Sequence, residues 1–197
     1  GTSFASKVGE LYAPSRDQEK AKEYLATALS ELGCTVDDLS AHLSIDCGDS
    51  ATAIAEASFY QEQWRQVLGI EVAVNSMITK QGAQNRKTGN YVMSITGWGP
   101  DYNDPNTFLD LWVTDGSNNQ TGFSNERYDE LIDLAATETD LEKRESYFIE
   151  CEQIIADQLP IGPAFWRAPS YACSDKIKGG MHRSTFQDIN AVYVKLS

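Results

Sequence analysis

The chain has 197 residues, 41% of them hydrophobic and 23% charged, which suits one sizeable folded domain and excludes a disordered chain. The formal net charge of −13 argues against a nucleic-acid binder and against docking on anionic lipid through charge, and is read first as solubility. No apolar run approaches the ~18 residues of a membrane span, and no basic-then-apolar signal peptide opens the chain, whose Gly1-Thr2-Ser3-Phe4 start reads as a fragment boundary.

In chain order, 17–33 reads as a helix, with Ala21, Tyr24, Leu25, Ala28, Leu29 and Leu32 on one stripe, Asp17 or Ser15 at its start and Gly33 at its end. Leu43, Ile45 and Cys47 alternate and predict a strand over 41–47. Gly48-Asp49-Ser50 turns into a helix over 51–68 that ends before Gly69, and Ile70, Val72 and Val74 predict a strand over 70–76. This β-α-β order implies a crossover and a helix-covered sheet. A short helix over 79–87 and a strand over 91–97 follow.

Asp104 before Pro105 is a helix-start signal, carboxylate at N-cap and proline at N1, for a helix over 105–112. The polar stretch 114–122 reads as a surface loop. Ser124 or Asn125 caps a helix over 126–137, with Tyr128, Leu131, Ile132 and Ala135 on one face. Thr139 and Glu142 fit a capping box for a helix over 140–158, with Tyr147, Phe148, Cys151, Ile154 and Ile155 as its inner stripe and Pro160 as its stop. Strand-like pieces at 163–167, 170–173 and 190–195 complete one α/β unit with no linker and no repeat.

The four cysteines, Cys34, Cys47, Cys151 and Cys173, include no C-x-x-C spacing, and His42 and His182 stand apart from them, so a zinc site is disfavoured. An even count suits an oxidising compartment, and order along the chain favours Cys34–Cys47 and Cys151–Cys173 among three connectivities. The first bridge would contribute ~3 kcal/mol in the chain-entropy picture. The alternative is four buried thiols. Both histidines read as structural or solvated.

Enzyme signatures are missing: there is no G-x-S-x-G elbow, no cysteine with a histidine beside it and no glycine-rich phosphate loop. Asp101-x-Asn103-Asp104 fails the calcium-loop template, with Asn106 at the sixth position and Trp112 at the twelfth. No cofactor and no metal is called for. What stands out is the strand-to-loop-to-helix junction at 96–105. Loops at the C-terminal ends of strands are where α/β folds place ligands. Asp101, with no local partner, and Trp98, between two glycines, together suit an ammonium group, through a charge-assisted hydrogen bond worth ~1.5–3 kcal/mol and an aromatic face. The alternative on these residues alone is a turn aspartate beside a core tryptophan.

Gly97-Trp98-Gly99-Pro100-Asp101-Tyr102-Asn103-Asp104-Pro105, followed by Phe108-Leu109, resembles the Gly-Trp-x-x-Asp-Tyr-x-x-Pro segment of the oligopeptide- and dipeptide-binding proteins of ABC importers, extracellular solute-binding protein family 5. Further stretches resemble the family in the same order: the helix from Asp17 to Leu25, Leu68-Gly69-Ile70-Glu71-Val72, Phe123-Ser124-Asn125 with Tyr128-Asp129-Glu130-Leu131-Ile132, and the run from Asp157 to Pro163.

The resemblance implies an α/β lobe of the type II periplasmic-binding-protein kind, a mixed sheet covered by helices. The chain, 1–197, would be the second ligand-binding lobe of a two-lobe protein whose first lobe is absent. It implies capture of short peptides between two lobes, no enzymatic activity, and ABC importer permease subunits as partners. It implies an extracytoplasmic location, periplasmic or at the cell surface, with a lipid anchor on the longer parent. The ligand-binding residues carried over are Thr96, Gly97, Trp98, Gly99, Asp101, Tyr102 and Asn103. Of these, Asp101 matches the anchor of the peptide α-ammonium and Trp98 a side-chain pocket wall, and the backbone of 96–99 would pair with the extended peptide. Two departures stand out: Gly99 where some peptide binders carry cysteine, and Ile95 where some carry a basic residue toward the peptide carboxylate. The same fold binding a metal chelate, haem or sugar, and a protein-interaction domain with no solute, are the alternatives.

Overall fold

The computed structural model describes residues 4–9, 11, 17–166, 172–179, 182–183, 189–190 and 194–195. In chain order the elements are helices α1 (Phe4–Val8), α2 (Gln18–Leu32) and α3 (Val36–Ser40), strand β1 (Ser44–Gly48), α4 (Ala51–Leu68), β2 (Ala73–Met77), α5 (Thr79–Thr88), β3 (Met93–Ser94), α6 (Asn106–Leu109) running into a 3-10 turn (Asp110–Trp112), α7 (Glu126–Thr137), α8 (Leu141–Gln158), β4 (His182–Arg183) and β5 (Ile189–Asn190). They divide into two compact units, Glu10–Gly97 and Gly1–Gly9 with Trp98–Ser197.

In the unit Glu10–Gly97 the strands form a parallel sheet in the order β2-β1-β3, with Ile45 opposite Val74 on one side and Met93 on the other. The sheet is parallel where a mixed one is expected; the antiparallel pair β4–β5 is separate from it. The step from β1 to β2 and the return over β1 to β3 run in opposite directions, so right-handed crossovers put α4 and α5 on opposite faces. Side chains of β1 alternate accordingly. Ile45 and Cys47 join Ala57, Ile70 and Val72 in an apolar cluster, backed by Leu25, Leu39, Trp64 and Leu68. Asp46 points the other way, toward Asn85 of α5. The sequence of α5, TKQGAQNRKT, carries no large apolar side chain, so this face of the sheet is polar.

Local signals set the helix ends. Asp17 accepts the Lys20 N–H and Ser50 accepts the Ala53 N–H, while Gly33 and Gly69 stop α2 and α4 in the left-handed region, at φ 64° and 69°. Tyr24 and Leu32 of the α2 stripe are exposed, and only its neighbours Ala21, Leu25, Ala28 and Leu29 are half-buried. The strands are shorter than expected. Residues 41–43 are the turn that follows α3, a helix that starts on a reciprocal capping box of Thr35 and Asp38, and His42 Nδ1 lies 2.8 Å from the Asp38 carbonyl. Ile70 and Val72 are buried but precede β2, and β3 extends only to Ser94, with the Ile95 N–H donating to the Asp46 carbonyl at 2.9 Å.

In the other unit α7 and α8 supply the core. Tyr128, Leu131, Ile132 and Ala135 from α7 meet Phe148, Cys151 and Ile155 from α8, with Leu109 of α6. Burying each large apolar side chain of this set is worth roughly 1.5–3 kcal/mol. The Tyr128 hydroxyl donates to the Leu109 carbonyl at 2.6 Å, and burial pushes this phenol well above its ordinary pKa. Phe4 of α1 sets its ring edge-on to Phe148 at 6.3 Å. The cap of α8 is Asp140, whose carboxylate accepts the N–H groups of Glu142 and Lys143; Thr139 instead donates its own N–H to Glu138. The carboxylate one residue nearer the helix reaches two orphan donors, which displaces the expected Thr139–Glu142 box. Leu159 ends α8 at φ 47°, because Pro160 bars the right-handed helical region to the residue before it. Among the expected strand pieces, 163–166 and 172–173 are not strands and β5 covers only Ile189–Asn190; residues 167, 170–171 and 191–193 lie outside the described residues.

Neither expected disulfide is formed. Cys47 is 4% exposed in the sheet core and Cys151 is fully enclosed among the aromatic and aliphatic side chains of α7 and α8. Each serves as a small hydrophobe there, whereas Cys34 is half-buried and Cys173 lies exposed. Burial, then the neighbouring Glu150 and Glu152 charges, push the Cys151 thiol up to about 12.

Candidate functional site

Thr96 and Gly97 close the first unit, and Trp98, Gly99, Asp101, Tyr102 and Asn103 open the second. All seven are exposed. Beyond Ile95 the chain leaves the ladder of β3, and among the described residues no backbone hydrogen bond uses the groups of 96–99. A Cβ built on Gly97 or Gly99 meets nothing within 4 Å, so the backbone there is open to close approach. Trp98 is 45% exposed and Tyr102 41%, which removes the core-tryptophan alternative.

The Asp101 carboxylate has no hydrogen-bond or ion-pair partner among the described residues, while its backbone N–H donates to Thr107 Oγ1 at 2.9 Å. Thr107 is 2% exposed, so the main chain of Asp101 is held from beneath while its charge faces water. Three residues on, Asp104 is placed differently. Its Oδ1 accepts the Asn106 N–H at 3.0 Å, and Pro105 already has helical angles, so Asp104 caps and Pro105 stands at N1 although the regular helix starts at Asn106. Arg144 of α8 adds a two-point ion pair, Nη1 to Oδ2 at 2.6 Å and Nη2 to Oδ1 at 3.0 Å. Burial pushes the Asp104 carboxyl up, but Arg144 and the Asn106 N–H outweigh it and hold the pKa below the usual carboxylate value.

Tyr102 ties the loop to the turn after α6. Its hydroxyl accepts from Asn106 Nδ2 at 2.9 Å and donates to Asp110 Oδ2 at 3.4 Å. Burial, and the nearby Asp101 charge, raise the pKa of Asp110 against the lowering effect of Tyr102. Asn103 is exposed, and among the described residues no hydrogen bond or ion pair holds its side chain. Sequence reading missed Thr107 and Arg144, the residues that hold the loop; Arg144 lies 40 positions from Asp104 and nothing local marks the pairing. Among the described residues no group of three or more His, Cys, Asp or Glu could hold a metal ion, and no helix is long and apolar enough to cross a membrane.

The family described as bacterial extracellular solute-binding proteins, family 5 Middle, matches residues 2–120. The chain is 32% identical over 173 residues to the oligopeptide-binding protein OppA of Bacillus subtilis, covering 86% of this chain and 31% of that protein. It is 33% identical over 201 residues to a dipeptide-binding protein of Lactococcus lactis, covering 99% of this chain and 36% of that one. The structure of Listeria monocytogenes OppA bound to peptide superimposes with a TM-score of 0.80 at 29% identity, over 98% of this chain and 36% of that one. The chain thus spans about a third of the length of these relatives.

Proposed function

The chain belongs to the bacterial extracellular solute-binding proteins of family 5, a non-enzymatic family, and from that membership we propose that it captures short peptides as one lobe of the receptor of an ABC importer. In this reading residues 1–197 form the second lobe of a larger, two-lobed extracytoplasmic protein, and the permease subunits of the importer are its protein partners.

The observation that carries the reading is the Asp101 carboxylate, exposed and without a partner among the described residues on a loop pinned by Thr107 and by the Asp104–Arg144 pair. A carboxylate held this way loses little freedom when it meets a ligand, and a peptide α-ammonium matches it through a charge-assisted hydrogen bond. The exposed rings of Trp98 and Tyr102 offer an apolar or cation-π face beside it. The backbone of 96–99, without a backbone hydrogen bond among the described residues, suits pairing with an extended peptide, which reads main chain rather than side chains and so supports breadth of sequence.

The test is a titration of the chain with Ala-Ala-Ala followed by amide NMR. The expected result is perturbation centred on 98–103, weakened tenfold or more by N-acetylation of the peptide and by Asp101→Asn. Equal affinity of the acetylated and free peptides, or of D101N and the unsubstituted chain, overturns the ammonium anchor.

A further inference from the structure

The sheet face under α5 is polar, and a cavity of about 420 Å3 lies on it, within the unit Glu10–Gly97. Ser44 and Asp46 stand two apart on β1 and share that face, and the register sets Asn75 of β2 opposite Asp46. The helix meets these strands through Gly82, where a Cβ would lie 3.7 Å from Met77 Cγ, and through Asn85, whose Nδ2 is 3.4 Å from Met77 Sδ. With no large apolar side chain on α5, the space between helix and sheet is not filled. Gly89 ends α5 at φ 68°, and the turn through Asn90 and Tyr91 toward β3 closes the far wall. None of the residues 96–103 lines this cavity.

Asp46 is 4% exposed and borders the cavity. Its two carboxylate oxygens accept from Asn75 Nδ2 and Asn85 Nδ2, each at 3.2 Å, and among the described residues it forms no ion pair. Arg86 of the same helix meets Ser94 Oγ at 3.4 Å and does not line this space. The two amides supply hydrogen bonds but no counter-charge, and each carboxylate oxygen keeps a second lone pair. A buried carboxylate in that position favours a cation at its side. Asn85 Oδ1 already accepts from Gln81 at 2.8 Å, whereas Asn75 Oδ1 and Ser44 Oγ accept no hydrogen bond among the described residues. Carboxylate, amide carbonyl and hydroxyl make three acceptors for the three donors of an ammonium group. A hard metal ion draws on several charged oxygens, and one carboxylate serves it poorly. The volume is that of a small organic ligand, and Met77, Tyr91 and Val92 give its body an apolar wall.

We propose that this cavity binds the ammonium group of a small organic amine, with Asp46 as its counter-charge and Asn75 and Ser44 as further acceptors. The site is separate from the peptide reading and does not involve Asp101. The chain is titrated with n-butylammonium chloride and with 1-butanol, its neutral counterpart, at constant ionic strength, following the backbone amides of Ser44, Asp46, Asn75 and Asn90 by NMR. The expected result is saturable perturbation of these amides by butylammonium, with butanol at least tenfold weaker. Asp46→Asn should weaken the amine tenfold or more. Asn90→Asp adds a charge at an exposed wall position and should tighten it about threefold. N90D carries the test if D46N does not fold. D101N should leave the response of these amides unchanged.

Equal perturbation by butanol, unchanged affinity in folded D46N, or no tightening in N90D overturns the proposal. So does calcium chloride that displaces the amine from these amides at equal concentration, which makes the cavity a metal site. A chain that binds butylammonium here but no peptide leaves this site standing and sinks the peptide reading. The reverse pattern overturns the Asp46 site alone.

Discussion

Arg144 and Asp104 stand 40 positions apart and meet in a two-point ion pair, while Arg144 Nε also donates to the Ala135 carbonyl and the guanidinium lies 4.6 Å over the Phe148 ring. One side chain thereby joins the site loop, the end of α7 and the core face of α8. Arg144→Gln should cost about 1.5–3 kcal/mol, the range for hydrogen bonds to charged groups, because the pair is only partly buried. Urea unfolding at pH 7 measures it, and a loss below ~0.5 kcal/mol would show that the clamp is a surface contact of little weight.

The same pair sets an acid dependence. The folded pKa of Asp104 lies below its unfolded value, so the pair contributes stability above the unfolded carboxylate pKa, about 4. That contribution is lost as pH falls through the folded value. Unfolding free energies of the unsubstituted chain and R144Q should therefore differ at pH 7 and converge toward pH 2. A difference that stays constant over this window would show that Asp104 does not titrate with the pair.

Tyr128→Phe tests the buried link between α7 and α6. The substitution removes the 2.6 Å hydrogen bond and leaves the Leu109 carbonyl without its donor, at an expected cost of about 1–3 kcal/mol. The residue is fully enclosed, so solvent cannot replace the hydroxyl. Thermal unfolding should show a fall of several degrees.

The start of α8 separates two neighbouring residues. Asp140→Ala removes an acceptor for the Glu142 and Lys143 N–H groups and should cost about 1 kcal/mol. Thr139→Ala should change stability by less than ~0.5 kcal/mol, as surface substitutions do. The reverse order would restore the capping box read from Thr139 and Glu142.

The cysteines give a chemical readout. Thiol titration of the denatured, unreduced chain should count four thiols. In the folded chain Cys151 should stay unreactive near neutral pH, since its pKa is pushed up to about 12 and it is fully enclosed, and should react only at the rate of unfolding. A count of two or fewer would establish a bridge.

Much of the fold is legible in the sequence where the physics is local. The ends of α4 follow from Ser50 and Gly69, and the inner face of α7 from Tyr128, Leu131, Ile132 and Ala135, because capping and 3.6-residue spacing act within a few turns. Strand lengths are less legible. Val72 reads as a strand residue by alternation and is buried, yet it lies outside the ladder, which depends on what β1 offers opposite it. A two-residue strand such as β3 has no period to read. The five-residue α3 is invisible to periodicity, although Thr35 and Asp38 carry its cap.

The order of the longer elements, the ends of α4 and α7 and the family-like stretch from Gly97 to Pro105 are determined by the sequence alone, because each is written in residues that touch their near neighbours. The ion pair that fixes this loop is not. Asp101 and Asp104 are the same residue type, three positions apart in one loop, and the helix-start signal before Pro105 already sets Asp104 apart. Tertiary structure added the rest: α8 brings Arg144 across 40 positions to neutralise Asp104, and Thr107 holds only the backbone of Asp101, so one charge is spent on the fold and the other stays exposed. Coulomb attraction acts over ångströms of space, and the folded path of the chain sets those distances.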